Sequence, residues 1–137
     1  MPLNNHFSGS PADWLRYARS DLELAGINRP DEVLFEELCF HAQQAAEKAL
    51  KAALIAKGIS PPKTHNIRML LDVLSQVIVA PQEVEDAAGL TDYAVTSRYP
   101  GDFEPVGEEE YNEALRLAKT VVKWAEKVVQ QRGNNIK

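Results

Sequence analysis

The chain of 137 residues has a single cysteine, Cys39. An internal disulfide is excluded, and Cys39, set mid-helix among apolar neighbours, is expected to be a small buried thiol. No stretch approaches the roughly 20 continuous apolar residues that a membrane span needs. The start, MPLNNHFSGS, lacks the basic residues and apolar run of a secretion signal, so a cytoplasmic location without a membrane partner is expected. Gly58, Gly89, Gly101 and Gly107 are scattered and suit helix ends or turns, which excludes a phosphate-cradling glycine loop. Histidines are scarce: His6, His41 and His65. Glu37 and His41 are four residues apart, but Glu-x-x-His pairs are missing, so neither a metal nor another cofactor is expected. Spacing yields no Ser/His/Asp arrangement. There is no internal repeat, no low-complexity tract and no convincing period-two alternation, which leaves little room for strands.

Helical signals are plentiful. Ser10-Pro11-Ala12-Asp13 places an N-cap serine, a first-turn proline and a first-turn carboxylate in order. Trp14, Leu15, Ala18, Leu22 and Ala25 then form one apolar face. A second helix is expected from Asp31 or Glu32 to Lys57, stopped by Gly58. After the extended Pro61-Pro62 connection, a third helix is expected over Asn66–Val77 and a fourth over Pro81–Ala94. The last should run from Gly107 to Gln131, with Glu108, Glu109 and Glu110 favouring its positive end. The expectation is an all-α, up-and-down bundle of four to five helices over residues 11–131. Residues 1–10 would form a flexible leader and residues 132–137 a frayed tail.

The second helix is apolar over most of its circumference, as expected of a helix packed on more than one side, often by a second subunit. One polar stripe interrupts it. With His41 at 0° on a helical wheel, Gln44, Lys48 and Lys51 fall near 300°, 340° and 280°, a sector about 80° wide. The net charge of −5 argues against a generally basic nucleic-acid clamp. Residues 41–68, however, set five cations against Glu47 alone, a net +4 that leaves −9 for the rest. Two readings compete. Lysines flanking an apolar face can simply snorkel and solubilise it. Alternatively, ammonium groups supply charge while Gln44, Thr64 and the imidazoles supply directed hydrogen bonds for a phosphate. Arg98-Tyr99-Pro100 is a second candidate patch: a guanidinium suited to phosphate and a phenol suited to stacking on a base, or else a helix-end packing residue and an ion pair. Trp14, Trp124 and Phe40 are expected in the core or at an interface.

The segments HAQQAAEKALKAALIAKG, PPKTHNIRMLL and LTDYAVTSRYP, followed by a long final helix opening in acids, resemble the HEPN domain, named for higher eukaryotes and prokaryotes nucleotide-binding. The resemblance covers roughly residues 13–129. It implies a four- or five-helix bundle, often a homodimer, that binds nucleotide or RNA and is commonly encoded beside a minimal nucleotidyltransferase, in some cases as a toxin–antitoxin pair. Carried over by position, the binding residues would be His41, Gln44, Lys48, Lys51, Lys63, Thr64, His65, Arg98 and Tyr99. The chain departs from the family's ribonucleases, which carry an arginine followed after four to six residues by a histidine. No such pair is present here, so catalytic residues stay unassigned. A metal-independent ribonuclease with an unusual active site, pairing Arg98 with His41, and a ligand-free helical interaction scaffold are the alternatives.

Overall fold

The computed structural model describes residues 9–94, 101 and 104–134, apart from the side chains of 132–134. Ser10 caps the first helix, α1 (Pro11–Ala25). Its hydroxyl accepts from the Asp13 N–H at 3.0 Å, and the Asp13 carboxylate accepts from the Ser10 N–H at 3.3 Å. Two orphan donors at the helix start are thereby satisfied.

The second helix, α2 (Phe35–Ala56), starts later than the sequence leads one to expect. Arg29 is the reason. Its guanidinium donates to Val33 O at 2.6 Å and Asp31 O at 3.3 Å, and lies 4.0 Å from the centre of the Phe35 ring. Those carbonyls are held in a turn and are not free to open a helix. At the other end, Gly58 takes a φ of +81°, and the chain folds back so that the Ile59 N–H donates to Leu54 O at 2.9 Å.

The third helix, α3 (Ile67–Leu74), is shorter than the expected Asn66–Val77. Asn66 is its cap, accepting from the Met69 N–H at 3.1 Å, while the Thr91 hydroxyl accepts from the Ile67 N–H at 2.9 Å. The helix expected over Pro81–Ala94 is one α-helical turn, α4 (Gln82–Glu85), continued by a 3-10 helix, Asp86–Ala94. Val84, Ala87 and Leu90 are buried at three-residue spacing, which suits three residues per turn better than the roughly 3.6 of an α-helix. The final helix, α5 (Glu108–Asn134), runs past its expected end at Gln131 into the segment read as a tail.

Side-chain contacts fix the directions. The Tyr111 hydroxyl donates to Ala25 O at 2.6 Å and Arg19 donates to Glu126 at 2.6 Å, so α1 and α5 are antiparallel. Lys51 lies over Trp14 and Lys48 reaches Asp21, so α1 and α2 are antiparallel too. The Phe35 and Tyr111 rings are 5.3 Å apart, which sets α2 and α5 side by side in one direction. The intervening α3, α4 and 3-10 helix carry the chain back. The protein is thus an all-α up-and-down bundle, without strands among the described residues.

α2 is its centre. Ala42, Ala45, Ala46, Ala49, Ala52 and Ala53 are fully buried, and their small side chains let α1 and α5 approach closely. Together with α3 and the 3-10 helix, these enclose most of α2 within one chain. Cys39 is buried, and Trp14 and Trp124 are half-buried against the core. No helix among the described residues is long and apolar enough to cross a membrane.

Candidate functional site

The antiparallel pairing of α1 and α2 sets Asp21 opposite His41 and Lys48, which are seven residues apart and share a face of α2. His41 Nδ1 is 3.0 Å from Asp21 Oδ1, and Lys48 Nζ donates to Asp21 Oδ2 at 2.6 Å. Asp21 is only 8% exposed, in line with the fully buried Ala18 and Ala25. A carboxylate beside an ammonium group offers acceptors only, so the imidazole must donate through Nδ1–H.

On the same helix a second cluster forms around Glu47. The loop after Gly58 brings His65 back onto the helix. There its Nδ1 lies 3.1 and 3.2 Å from the two oxygens of Glu47, and Lys51 Nζ donates to Glu47 Oε2 at 2.8 Å. Glu47 is 3% exposed. Gln43, fully buried, donates through Nε2 to Glu47 Oε1 at 3.2 Å and to His65 O at 3.0 Å. Both acceptors fix the orientation of the amide, and Gln43 Oε1 is left without a partner among the described residues. The Lys51 ammonium also lies 5.5 Å from the Trp14 ring centre, within cation–π range.

The face built this way carries two ammonium groups, two carboxylates and two imidazoles, and is electrically balanced while the imidazoles are neutral. The excess along residues 41–68 is offset in space by Asp21 and, at Arg68, by Asp72 (3.1 Å) and Glu85 (2.6 Å). The hydrogen bond to Glu85 is the main cause of a raised Arg68 pKa.

Of the residues expected to bind, His41 joins Lys48 on Asp21 and Lys51 joins His65 on Glu47, so they form two clusters. Gln44 is half-buried, one helical turn from both His41 and Lys48. The Thr64 hydroxyl accepts from the Asn66 N–H at 3.0 Å and shapes the approach to α3. Lys63 is exposed, with no ion pair among the described residues. Arg98 and Tyr99 lie outside the described residues. No cluster of His, Cys, Asp and Glu able to hold a metal occurs among the described residues. A shallow depression of about 450 Å³ lies elsewhere, between α1 and α5, lined by Ala12, Leu15, Arg19, Glu126, Val129 and Gln130.

Three residues of the site are not among those expected to bind: Asp21, Gln43 and Glu47. Their signals were present. Asp21 falls between Ala18 and Ala25 on the apolar face of α1, where an acid needs a buried partner. Gln43, Glu47 and Lys51 follow one another at four-residue steps along α2.

Comparison with known proteins bears on the fold and the family. The family model of the HEPN domain matches residues 11–128. The crystal structure of ST0689, an archaeal HEPN homologue, is similar with a TM-score of 0.69 at 26% identity, over 88% of this chain and 98% of that one. The crystal structure of TT1696 from Thermus thermophilus gives 0.70 at 34% identity, over 86% of this chain and 97% of that one. No curated protein matches the chain. With the helical bundle and a match over residues 11–128, the chain belongs to the HEPN domain family.

Proposed function

We propose that the protein binds a nucleotide or an RNA phosphate on the polar face of α2, as a homodimer. In this reading it works with a minimal nucleotidyltransferase partner in a two-component, toxin–antitoxin-like module in the cytoplasm. The observation that carries the binding reading is the pair of buried carboxylates, each anchoring one lysine and one imidazole. An ammonium group has three donors, so a lysine giving one to a carboxylate keeps two for a ligand oxygen. Anchoring also lowers the entropy lost when a long side chain meets its ligand. Exposed Tyr17 and Leu24, seven residues apart on α1, with Ile27 and Leu34 beyond them, favour a second copy as a partner.

The test is a titration of ATP and of a short single-stranded RNA against wild type and Lys48→Ala. Saturable binding weakened about tenfold or more by the substitution is expected, the size of one charged hydrogen bond. The absence of saturable binding would leave the interaction-scaffold reading. A second reading has an observation of its own: Asp21 behind His41 is the kind of carboxylate–imidazole pair that serves general acid–base catalysis. Cleavage of labelled RNA in EDTA, abolished by His41→Ala, would make the protein a metal-independent ribonuclease with an unusual active site.

A further inference from the structure

The bonds to Asp21 decide what His41 can offer a ligand. Asp21 Oδ2 holds Lys48 Nζ at 2.6 Å, and Oδ1 faces His41 Nδ1 at 3.0 Å. With Nδ1 committed as the donor, a neutral His41 carries a bare lone pair on Nε2. Among the described residues, this ring is paired with Asp21 of α1, whose other oxygen holds Lys48, and the Phe40 ring meets it edge-on at 5.4 Å. Nothing among them donates to Nε2. A phosphate oxygen is itself an acceptor, so it is repelled there and settles on Lys48. The group that fits Nε2 is a hydrogen-bond donor, and beside a nucleotide's phosphate the nearest donor is a ribose hydroxyl.

Resting on the binding reading above, we infer that His41 Nε2 accepts a hydrogen bond from a ribose 2'-hydroxyl while Lys48 holds the adjoining phosphate, so the site selects ribonucleotides over deoxyribonucleotides. The two groups hang from the two oxygens of one carboxylate, which holds them side by side, as a ribose hydroxyl lies beside its neighbouring phosphate. His41 is 30% and Lys48 23% exposed at the side chain, so both side chains reach solvent. Asp21 acts as the positioning residue: it touches no ligand and sets which imidazole nitrogen is bare. His65 is held on Glu47 in the same way, through Nδ1.

Asp21→Asn separates this role from simple support. In the variant, Lys48 requires an oxygen, which turns the amide nitrogen toward His41. That nitrogen donates to Nδ1 and moves the imidazole proton to Nε2. The acceptor becomes a donor, and the preference for a hydroxyl should vanish. The experiment measures affinity for adenosine 3'-monophosphate against 2'-deoxyadenosine 3'-monophosphate, and for a short RNA against DNA of the same sequence. Wild type should prefer the ribose form roughly three- to tenfold, the worth of one neutral hydrogen bond, and Asp21→Asn should bring the ratio to about one. Nitrogen-15 NMR of the wild-type imidazole, which needs no variant to fold, should show the Nδ1–H form. His41→Gln, which can present oxygen or nitrogen, should also lose the preference. Saturable but equal binding of ribose and deoxyribose forms would overturn this inference and leave the phosphate reading standing. An Nε2–H imidazole in wild type would overturn it as well. Failure of both ligand forms to bind would overturn the two together.

Discussion

Glu47→Ala removes the anchor of the second cluster, and the structure sets the size of the effect. The substitution strips Lys51, 8% exposed, of its carboxylate, and takes the partner from His65 Nδ1. Gln43 Nε2 keeps its bond to His65 O, so the amide does not add a fully orphaned donor. Removing one partner of a buried ion pair typically destabilises by about 3–5 kcal/mol, against about 0–1 for an exposed pair. For a domain of this length that corresponds to a fall in Tm of roughly 10–20 °C. Thermal unfolding followed by circular dichroism reads it directly. Glu113→Ala, which breaks the exposed Glu113–Arg116 pair on α5, is the control and should leave Tm unchanged. Adding Lys51→Met to Glu47→Ala should restore part of the loss, because the stranded ammonium is then gone. A fall of less than about 3 °C for Glu47→Ala would refute the reasoning, since it would place the pair in the exposed class.

Two further outcomes follow from the bundle. Tyr111→Phe removes the bond to Ala25 O and should lower stability by about 1 kcal/mol in denaturant unfolding. Burial, and then the charge of the Cys39 thiolate, raise the Tyr111 pKa. Its folded value therefore lies above the unfolded one of about 10, so its contribution is intact below that pH and fades as pH rises through the folded value. The phenylalanine variant should lack this part of the alkaline loss. Ala49→Leu, placed where α2 is fully buried, should overpack the core and destabilise by about 1–3 kcal/mol by the same assay.

The fold was legible because its signals are local. The Ser10 cap, the apolar face of α1, the stop at Gly58 and the stripe of α5 each lie within a few turns of chain. Boundaries moved where a distant or tighter constraint took over. Arg29 drew residues 31–33 into a turn, and the three-residue spacing of Val84, Ala87 and Leu90 wound the fourth segment as a 3-10 helix. The wheel correctly grouped His41 with Lys48, since both lie on one helix face. It missed their shared partner, because Asp21 is contributed by another helix. Counting charges along residues 41–68 leaves out the acids that offset them, which are neighbours in space and not in sequence. Glu47 was nearer to hand, four residues before Lys51 and four after Gln43, but its hold on His65 depends on the path of the loop after Gly58.

The most direct measurement is chemical-shift mapping of isotope-labelled protein during titration with a short single-stranded RNA. Perturbations should gather on His41, Gln44, Lys48 and Lys51, and extend to Lys63, Thr64 and His65. Shifts confined to the α1–α5 depression around Arg19 and Glu126, or no shifts at saturating RNA, would contradict the placement of the ligand on α2.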